Sequence, residues 1–318
     1  MNLKKPNFIF FAENFVRYFY PKFLCRIRLN RILTKAGKRE DFTYILNRVN
    51  YYNKLDDHFS LENKAVCIKD FKFFSKHADD SMHFFDTYEF IRFFRVAQQF
   101  SFVFGDVTHI PSIPSFVKSR PIAGDNRNSI LLKLGKLRHF LFVKDEMPFR
   151  EKNNKIIFYA AMCGMPHRID FMEKYFGNPE CICGDISGDP SIPKEWFVKK
   201  ISIKKLLKHK FILALEGVDV ATSLKWIMSS NSLAVMPKPK YETWFMEGRL
   251  IPDFHYVEIK DDYSDLIERM NYYIAHPDEA EEIIKNANEY ISQFKNKKRE
   301  RIISLMVLQK YFNFNDGC

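Results

Sequence analysis

Cysteine is scarce in this chain of 318 residues, and of its six cysteines only Cys181 and Cys183 lie close together. Few, scattered thiols exclude a disulfide-stapled secreted scaffold and predict reduced cysteines. A C-x-C pair can bind metal, but no second pair and no histidine at ligand spacing accompanies it, so packing is the better interpretation. The sequence therefore predicts no metal site.

Long apolar runs and familiar nucleotide motifs are also missing. No stretch approaches the ~20 apolar residues that a membrane-spanning helix needs. The start, MNLKKPNFIFFAENF, lacks a long apolar region and a small-residue cleavage site, so it is a poor signal peptide. The absence of G-x-G-x-x-G and Walker A motifs excludes the common dinucleotide and P-loop sites. We expect a cytoplasmic protein.

Acidic residues are absent from Arg17 to Arg39, where eight basic residues alternate with aromatic and aliphatic ones. Residues 1–50 carry eleven basic and three acidic residues, a net charge of +8 out of +11 for the chain. A membrane surface with anionic headgroups and a solvated basic helix explain this pattern equally well. Contact with nucleic acid ranks behind both.

What is present is the composition and pattern of a folded α/β protein. Hydrophobic residues make up 46% and charged residues 28%, and the length suits two domains or one large one. Apolar runs such as KIIFYAA, FILALEG, SLAVM and HYVEI alternate with helical patterns, which predicts a parallel sheet covered on both faces. Nearer the start, periodicity predicts a helix over 89–100 and another after Asn128 or Ser129.

Ligands of open α/β sheets bind where strands end, and three such places carry polar residues. Asp106 follows the strand-like run SFVFG, with His109 nearby; its carboxylate could serve as a general base toward a hydroxyl, although Asp after Gly is also typical of a turn. In CGMPHR, Gly164 permits close backbone approach and Arg168 can fork onto a diphosphate, but most such loops bind nothing.

The third place is the turn after FILALEG. Asp219 is predicted to cap a helix, which leaves backbone amides of the first helical turn free to hold a phosphate. These amides belong to Ala221, Thr222 and Ser223, and Lys225 adds positive charge. Ordinary core packing is the simpler interpretation of the same pattern.

The run LEGVDVATSLKWIMSSNSLAVMPKPKYETWF and its continuation resemble the C-terminal signature of glycosyltransferase family 90. The likeness is to the bacterial branch that adds a hexose to the lipopolysaccharide inner core, a group related to protein O-glucosyltransferases. It continues through PSFVKSRPI, NSILLKLGKLRHF and KIIFYAAMCGMPHR, and covers roughly Phe102 to Ile291.

This resemblance implies an α/β GT-B architecture, with two Rossmann-like domains facing a cleft, and an inverting reaction that needs neither metal nor cofactor beyond the UDP-sugar donor. Residues 1–150 would form an acceptor-side domain with a basic, aromatic helical start. Residues 151–290 would bind the nucleotide sugar, and residues 291–318 would form a basic helical tail.

The resemblance also implies roles for individual residues. Asp106 matches the family's base, Arg168 its diphosphate-binding arginine, Gly217–Lys225 its donor-phosphate helix start, and Tyr241–Phe245 an acid-containing aromatic segment near the donor. Tyr241 and Glu242 are thereby donor contacts, although the acid is offset by one residue.

There are departures from the family pattern at the diphosphate. Eukaryotic relatives carry Arg-Gly where this chain has Ala160-Ala161, and an arginine where it has Ser223. Charge compensation must therefore come from Arg168, Lys225, Lys118 or Arg120.

The predicted function is transfer of glucose or galactose from UDP-glucose or UDP-galactose to a heptose of the lipopolysaccharide or lipooligosaccharide core. The acceptor is an anionic glycolipid, which places the enzyme peripherally on the cytoplasmic face of the inner membrane, with no nucleic-acid partner. The alternative is a noncatalytic basic protein that binds a membrane surface or nucleic acid.

Overall fold

The chain divides into two units in the computed structural model, which describes residues 7–61, 65–73 and 81–316. The first unit comprises Met1–Phe140 together with Lys240–Glu247 and Phe294–Cys318, and the second comprises Leu141–Pro239 and Gly248–Gln293. The change at 140/141 lies close to the predicted boundary at residue 150. However, two later segments return to the first unit, among them the segment predicted to lie near the donor.

The bounds of the elements are as follows. The helices are α1 Asn7–Phe19, α2 Lys22–Ala36, α3 Phe42–Tyr52, α4 Ser81–Ile91, α5 Lys136–His139, α6 Pro166–Tyr175, α7 Ile203–Leu206, α8 Leu224–Met228, α9 Leu266–Ala275, α10 Pro277–Ser292 and α11 Lys297–Phe314. The strands are β1 Val66–Cys67, β2 Gln99–Val103, β3 Ser115–Val117, β4 Ser119–Pro121, β5 Ser129–Leu131, β6 Asn153–Ala160, β7 Cys181–Asp185, β8 His209–Leu213, β9 Leu233–Met236, β10 Tyr241–Thr243 and β11 Val257–Glu258.

The second unit is built on a parallel sheet in the order β7-β6-β8-β9-β11. Every residue of β8 and β9 is buried, as expected for parallel strands covered on both faces. One apolar core includes Phe158, Phe171, Phe211, Leu233 and Met270. The predicted alternation of strands and helices is confirmed here. In chain order the strands run 2-1-3-4-5, so the order reverses between β6 and β8, where doubly wound sheets bind ligands.

The first unit has a smaller sheet in the order β1-β2-β3-β5, in which β2, β3 and β5 are parallel and β1 is antiparallel. Phe102 pairs with Phe116, and Phe116 pairs with Ile130. Aromatic side chains fill the core, as in the 4.6 Å stack of Phe71 on Phe84. The abundant phenylalanines are therefore used mainly for packing.

Two helix predictions in this unit are wrong. The predicted helix over 89–100 ends at Ile91, and residues 99–103 form β2 instead. The helix predicted after Asn128 or Ser129 is replaced by β5, all three residues of which are buried. Short apolar runs buried on both faces have no period that separates strand from helix, so tertiary packing decides them.

Helix α11 lies where a basic tail was predicted, and it is part of the first unit. Its buried face includes Ile303, Leu305, Leu308 and Phe312, so the helix contributes to the core. Exposed basic residues of this region, such as Lys297 and Lys298, lie at its start. In the part of the chain that the structure describes, no helix is long and apolar enough to cross a membrane.

Candidate active site

Arg168 lies at the reversal point of the second unit's sheet. Helix α6 starts at Pro166, a residue suited to a first helical turn, and this start directs Arg168 toward the ends of β6 and β8. Its Nη1 donates to the carbonyl oxygen of Ala161 over 2.8 Å, its Nε to Glu216 over 2.8 Å and its Nη2 to Leu215 over 3.0 Å. The guanidinium therefore ties together the loops that follow the two strands.

The charge of Arg168 has no acidic counterpart among the described residues. All three of its hydrogen-bond partners are carbonyl oxygens, and it forms no ion pair with a described carboxylate. Burial lowers the pKa of the guanidinium to about 10, while nearby Tyr263 acts in the opposite direction, so the group stays protonated at neutral pH. A half-buried cation without a carboxylate partner favours the binding of an anion.

Two glycines keep this region open. Gly164 has a φ of +71°, a left-handed conformation that favours glycine, and a Cβ there would meet no protein atom within 4 Å. A Cβ on Gly217 would lie 3.5 Å from Nη2 of Arg168. A side chain at Gly217 would therefore lie against the guanidinium, and glycine leaves that side uncovered.

The predicted cap at Asp219 is wrong. Helix α8 begins at Leu224 and has five residues, and the residue before it, Ser223, makes no side-chain cap. Asp219 instead accepts a 2.7 Å hydrogen bond from the amide of its neighbour Val220. Because Asp bonds the adjacent amide, it forms a local turn well before the helix starts.

The residues predicted to surround that helix start are mostly covered. Ala221 is buried, Thr222 and Ser223 are half-buried and precede α8, and Lys225 is fully buried. The amides of Ala221, Thr222 and Ser223 therefore lie before α8 and not in its first turn. Of this predicted segment, Gly217 is the residue that lies next to the Arg168 guanidinium.

Asp106 lies in the first unit, just after β2, as its sequence position predicted. Its side chain is 40% exposed and forms an ion pair with Lys118, which is almost completely buried. His109 is exposed three residues further on. Lys118 is thus committed to a carboxylate. Asp106 keeps an accessible face, as a general base requires.

The backbone on both sides of Asp106 is held by buried side chains. The amide of Gly105, whose φ is +98°, donates to Nδ1 of His83 over 3.2 Å. The Ser119 hydroxyl accepts from the amide of Val107 over 3.0 Å and donates to its carbonyl oxygen over 3.1 Å. Sequence reasoning missed His83 and Ser119, because contacts to the backbone leave no local signature.

Arg120 and Glu242 are brought together in the first unit. They form a buried ion pair of 2.8 Å, and Glu242 also accepts from the Tyr51 hydroxyl. The remaining nitrogens of Arg120 donate to the carbonyl oxygens of Ser129 over 2.9 Å and Tyr51 over 2.8 Å. These contacts occupy all three nitrogens of Arg120 and both oxygens of Glu242, so both residues have partners within the protein.

The segment that carries Glu242 is a strand. Tyr241, half-buried, pairs with Pro121 where β10 runs antiparallel to β4. Trp244 follows it and stacks on Tyr52, with the ring centroids 3.8 Å apart. The segment predicted to contact the donor is therefore firmly packed in the first unit.

Asp185, which sequence reasoning also missed, shapes the loop after β6. It ends β7 and is buried, and it accepts from the amides of Met162, Ser187 and Gly188 at 2.9 to 3.0 Å. Burial works to raise the pKa of Asp185, but hydrogen bonds from the Ser187 hydroxyl and these amides outweigh it and lower that pKa. An acid at the carboxyl end of an apolar strand is the same signal that singled out Asp106, and it would have found this residue.

The cysteine pair of β7 is part of the packing. Cys181 and Cys183 are buried free thiols, and burial raises their pKa values to about 12 and about 11. Such thiols are poor metal ligands because ligation requires the thiolate. Within the described ranges, no group of three or more His, Cys, Asp or Glu residues is arranged to hold a metal ion.

Comparison with known proteins relates this arrangement to one family. A family model described as Glycosyl transferase family 90 matches residues 168–315, starting at Arg168. The O-glucosyltransferase LpsA of Dichelobacter nodosus is 44% identical over 269 residues, which cover 85% of this chain and 83% of that protein. At this identity and coverage the two chains share one fold. This chain belongs to glycosyltransferase family 90.

Proposed function

We propose that this glycosyltransferase is an inverting enzyme that transfers a hexose from a UDP-sugar to a heptose of the lipopolysaccharide or lipooligosaccharide inner core. Arg168 carries the proposal, because a cation without a carboxylate partner at the sheet reversal suits a diphosphate. Between UDP-glucose and UDP-galactose we favour glucose, since the similar Dichelobacter nodosus protein is named an O-glucosyltransferase.

The hydrogen-bond inventory of Arg168 supports a role at the diphosphate. A guanidinium has five N–H groups, and three of them donate to carbonyl oxygens. One N–H on each Nη remains, a geometry suited to two oxygens of one phosphate. With Gly164 and Gly217 leaving the region uncovered, Arg168 would stabilise the charge that develops on the departing UDP, and no metal ion would be needed.

We assign the general base to Asp106. In the proposed step the acceptor hydroxyl loses its proton to the Asp106 carboxylate while its oxygen bonds to the anomeric carbon. The bond from that carbon to the diphosphate oxygen breaks, and UDP leaves with the electron pair. In-line displacement inverts the anomeric centre. Lys118 and the backbone bonds of the neighbouring residues would keep the carboxylate oriented.

The architecture and location belong to the same proposal. Two units with parallel strands, one in doubly wound order, are compatible with a GT-B enzyme. A glycolipid acceptor would require the enzyme to work on the cytoplasmic face of the inner membrane. The rival interpretation, a noncatalytic basic protein, explains the N-terminal charge but gives no reason for the region around Arg168.

The test is UDP release by the purified protein, supplied with UDP-glucose or UDP-galactose and with a heptose-terminated core oligosaccharide. We expect acceptor-dependent release with one of these donors. Asp106→Asn keeps the size of the side chain and should lower kcat by at least about a hundredfold, the usual contribution of a general base.

Asp125→Asn is the matched control, because Asp125 is an exposed acid elsewhere in the same unit. Full transfer by Asp106→Asn would refute the assignment of the base. Failure of every UDP-sugar to bind would favour the noncatalytic interpretation.

A further inference from the structure

Helices α1 and α2 present an unusually apolar outer surface. The side chains of Phe8, Val16, Phe19, Phe23 and Ile27 are 81%, 74%, 65%, 55% and 70% exposed. Phe15, which is 44% exposed, begins a series that continues every fourth position through Phe19 and Phe23 to Ile27, on either side of the two-residue connection at 20–21, and Val16 adds to it. Single exposed apolar residues are ordinary, but such a series indicates an interaction surface.

The opposite face of α1 is already packed. Phe10 and Asn14 are buried, the ring of Phe11 lies 6.1 Å from that of Phe85, and the ring of Tyr18 lies 4.9 Å from that of Tyr88. Helix α1 is thus held in the first unit by one apolar side while a second apolar side faces outward. A helix that only had to cover the core would carry polar residues on that outer side.

Cations flank the exposed series on α2. Arg28, Arg31 and Lys35 are exposed and form no ion pair with a described carboxylate. Burial, together with the positive charges of Lys72 and Arg26, lowers the pKa of Lys22. Helices α1 and α2 together carry six basic residues and one acidic residue, so the surface is positive as well as apolar.

A cavity of about 430 Å³ opens beside these residues within the first unit. Its lining includes the guanidinium-bearing residues Arg26 and Arg95 and the amides of Asn30 and Gln98. Arg26 and Asn30 stand on either side of Ile27 along α2. With Gln309 and Asn313, the cavity offers two cations and four amide side chains next to the apolar series, a set that suits a phosphate group.

We infer that α1 and α2 form a docking face for a bilayer of anionic phospholipid. The exposed phenylalanines would enter the boundary of the acyl chains, Arg28 and Arg31 would lie among headgroups, and the cavity would hold one headgroup phosphate. A protein partner would match the apolar series, but it would not require cations without carboxylate partners next to that series on α2. The inference rests on the membrane location proposed above and assigns that location to a surface.

Vesicle binding tests the apolar part. The full chain should cosediment with vesicles of phosphatidylglycerol and phosphatidylethanolamine and far less with phosphatidylcholine alone. Phe19→Ser with Phe23→Ser should weaken binding to the anionic vesicles by at least about tenfold, because two half-inserted rings are lost. The control pair, Ile251→Ser with Phe254→Ser, removes similarly exposed side chains from the second unit and should bind normally.

The same assay tests the charges. Arg28→Gln with Arg31→Gln should weaken anionic-vesicle binding roughly thirtyfold, the loss expected for two surface cations. Lys199→Gln with Lys200→Gln removes two exposed cations from the second unit and should have little effect. Arg26→Gln with Arg95→Gln tests the cavity and should reduce the preference for phosphatidylglycerol.

The outcomes separate this inference from the proposed reaction. UDP-sugar hydrolysis in solution should be unchanged in the α1 and α2 variants, because none of these residues belongs to the proposed active site. Equal binding to phosphatidylcholine, or normal vesicle binding by the variants, would overturn the inference, as would a solution dimer that Phe19→Ser converts to monomer. Vesicle binding without any sugar transfer would support the surface and refute the reaction.

Discussion

Arg168 and Arg120 show how the same side chain serves two purposes at the residue scale. Arg120 is buried and faces the carboxylate of Glu242 at 2.8 Å, so its charge is neutralised inside the first unit. Arg168 spends three N–H groups on carbonyl oxygens and keeps its charge without a carboxylate partner. The first arrangement stabilises a fold, whereas the second leaves a half-buried positive charge that the binding of an anion would neutralise.

Substitution by glutamine should therefore affect ligand binding at Arg168 and the stability of the fold at Arg120. Arg168→Gln removes an uncompensated cation, so we expect UDP to bind about a hundredfold more weakly. The free energy of unfolding should fall by only about 1–2 kcal/mol, because relief of the half-buried charge offsets part of the loss of three hydrogen bonds. Arg120→Gln leaves Glu242 buried without its ion pair and should lower the free energy of unfolding by about 3–5 kcal/mol. Calorimetry with UDP and urea denaturation measure the two quantities. Unchanged UDP affinity in Arg168→Gln would contradict the assignment.

At the scale of elements, secondary-structure prediction succeeded where the hydrophobic period of a segment and its length indicated the same element. The strands and helices of the second unit follow from apolar runs separated by long amphipathic segments, and α10 also has Pro277 and two acids in its first turn. It failed for β5 and for residues 89–100, where short apolar runs are buried from both sides. It failed again at α8, because an aspartate that accepts from the next amide has the same sequence signature as an aspartate that caps a helix.

The candidate site was predictable to a similar degree. Asp106 and Arg168 follow from their positions after strands. The pairing of Arg120 with Glu242 could not be predicted, because 122 residues separate them and the chain leaves the second unit to form β10 in the first. The supports at His83 and Ser119 act on backbone atoms, so they too depend on contacts between distant segments.

Helix α1 is joined to α4 by a charge cluster that makes its attachment sensitive to acid. Burial works to raise the pKa of Glu89, but Lys136 and Arg17 outweigh it and lower that pKa to about 2. Because the folded-state value lies below the unfolded value, Glu89 stabilises the fold above its unfolded pKa. That stabilisation is lost as the pH falls toward about 2.

Glu89→Gln should remove this dependence. We expect the variant to be less stable than the wild-type chain at neutral pH by about 1–2 kcal/mol, with the difference shrinking as the pH falls below about 4.5. Urea denaturation at several pH values measures it, in an Asp86→Asn background for both proteins, because the Glu89 charge contributes to the pKa of Asp86, which burial raises to about 6. A constant difference across this range would show that folding does not lower the pKa of Glu89, and it would contradict the proposed role of Lys136 and Arg17.

At the scale of the whole molecule, the first unit depends on residues from distant parts of the chain. Glu300 of α11 forms ion pairs with Arg48 at 2.6 Å and Lys133 at 2.7 Å, and it accepts from the Trp244 indole at 2.8 Å. The two cations outweigh burial and lower the pKa of Glu300. One carboxylate thus connects all three segments that make up the unit.

Glu300→Ala should be among the most damaging single substitutions in the chain. It leaves Arg48 buried without its counter-ion and the Trp244 indole without its acceptor, so we expect a loss of about 3–5 kcal/mol in the free energy of unfolding. Glu282→Ala, at an exposed helix position in the second unit, is the control and should cost less than about 0.5 kcal/mol. Urea denaturation distinguishes them, and equal losses would refute the role of Glu300.

The two segments that return to the first unit also set an order of events during translation. Everything that the second unit requires has left the ribosome once residue 293 has emerged, whereas the first unit still lacks the helix that carries Glu300. Until then Arg48 and Lys133 lack the carboxylate of Glu300, and a nascent chain would hold a complete second unit and an incomplete first unit. A premature stop codon within α11 would therefore prevent the first unit from folding, although it would remove only the last residues of the chain.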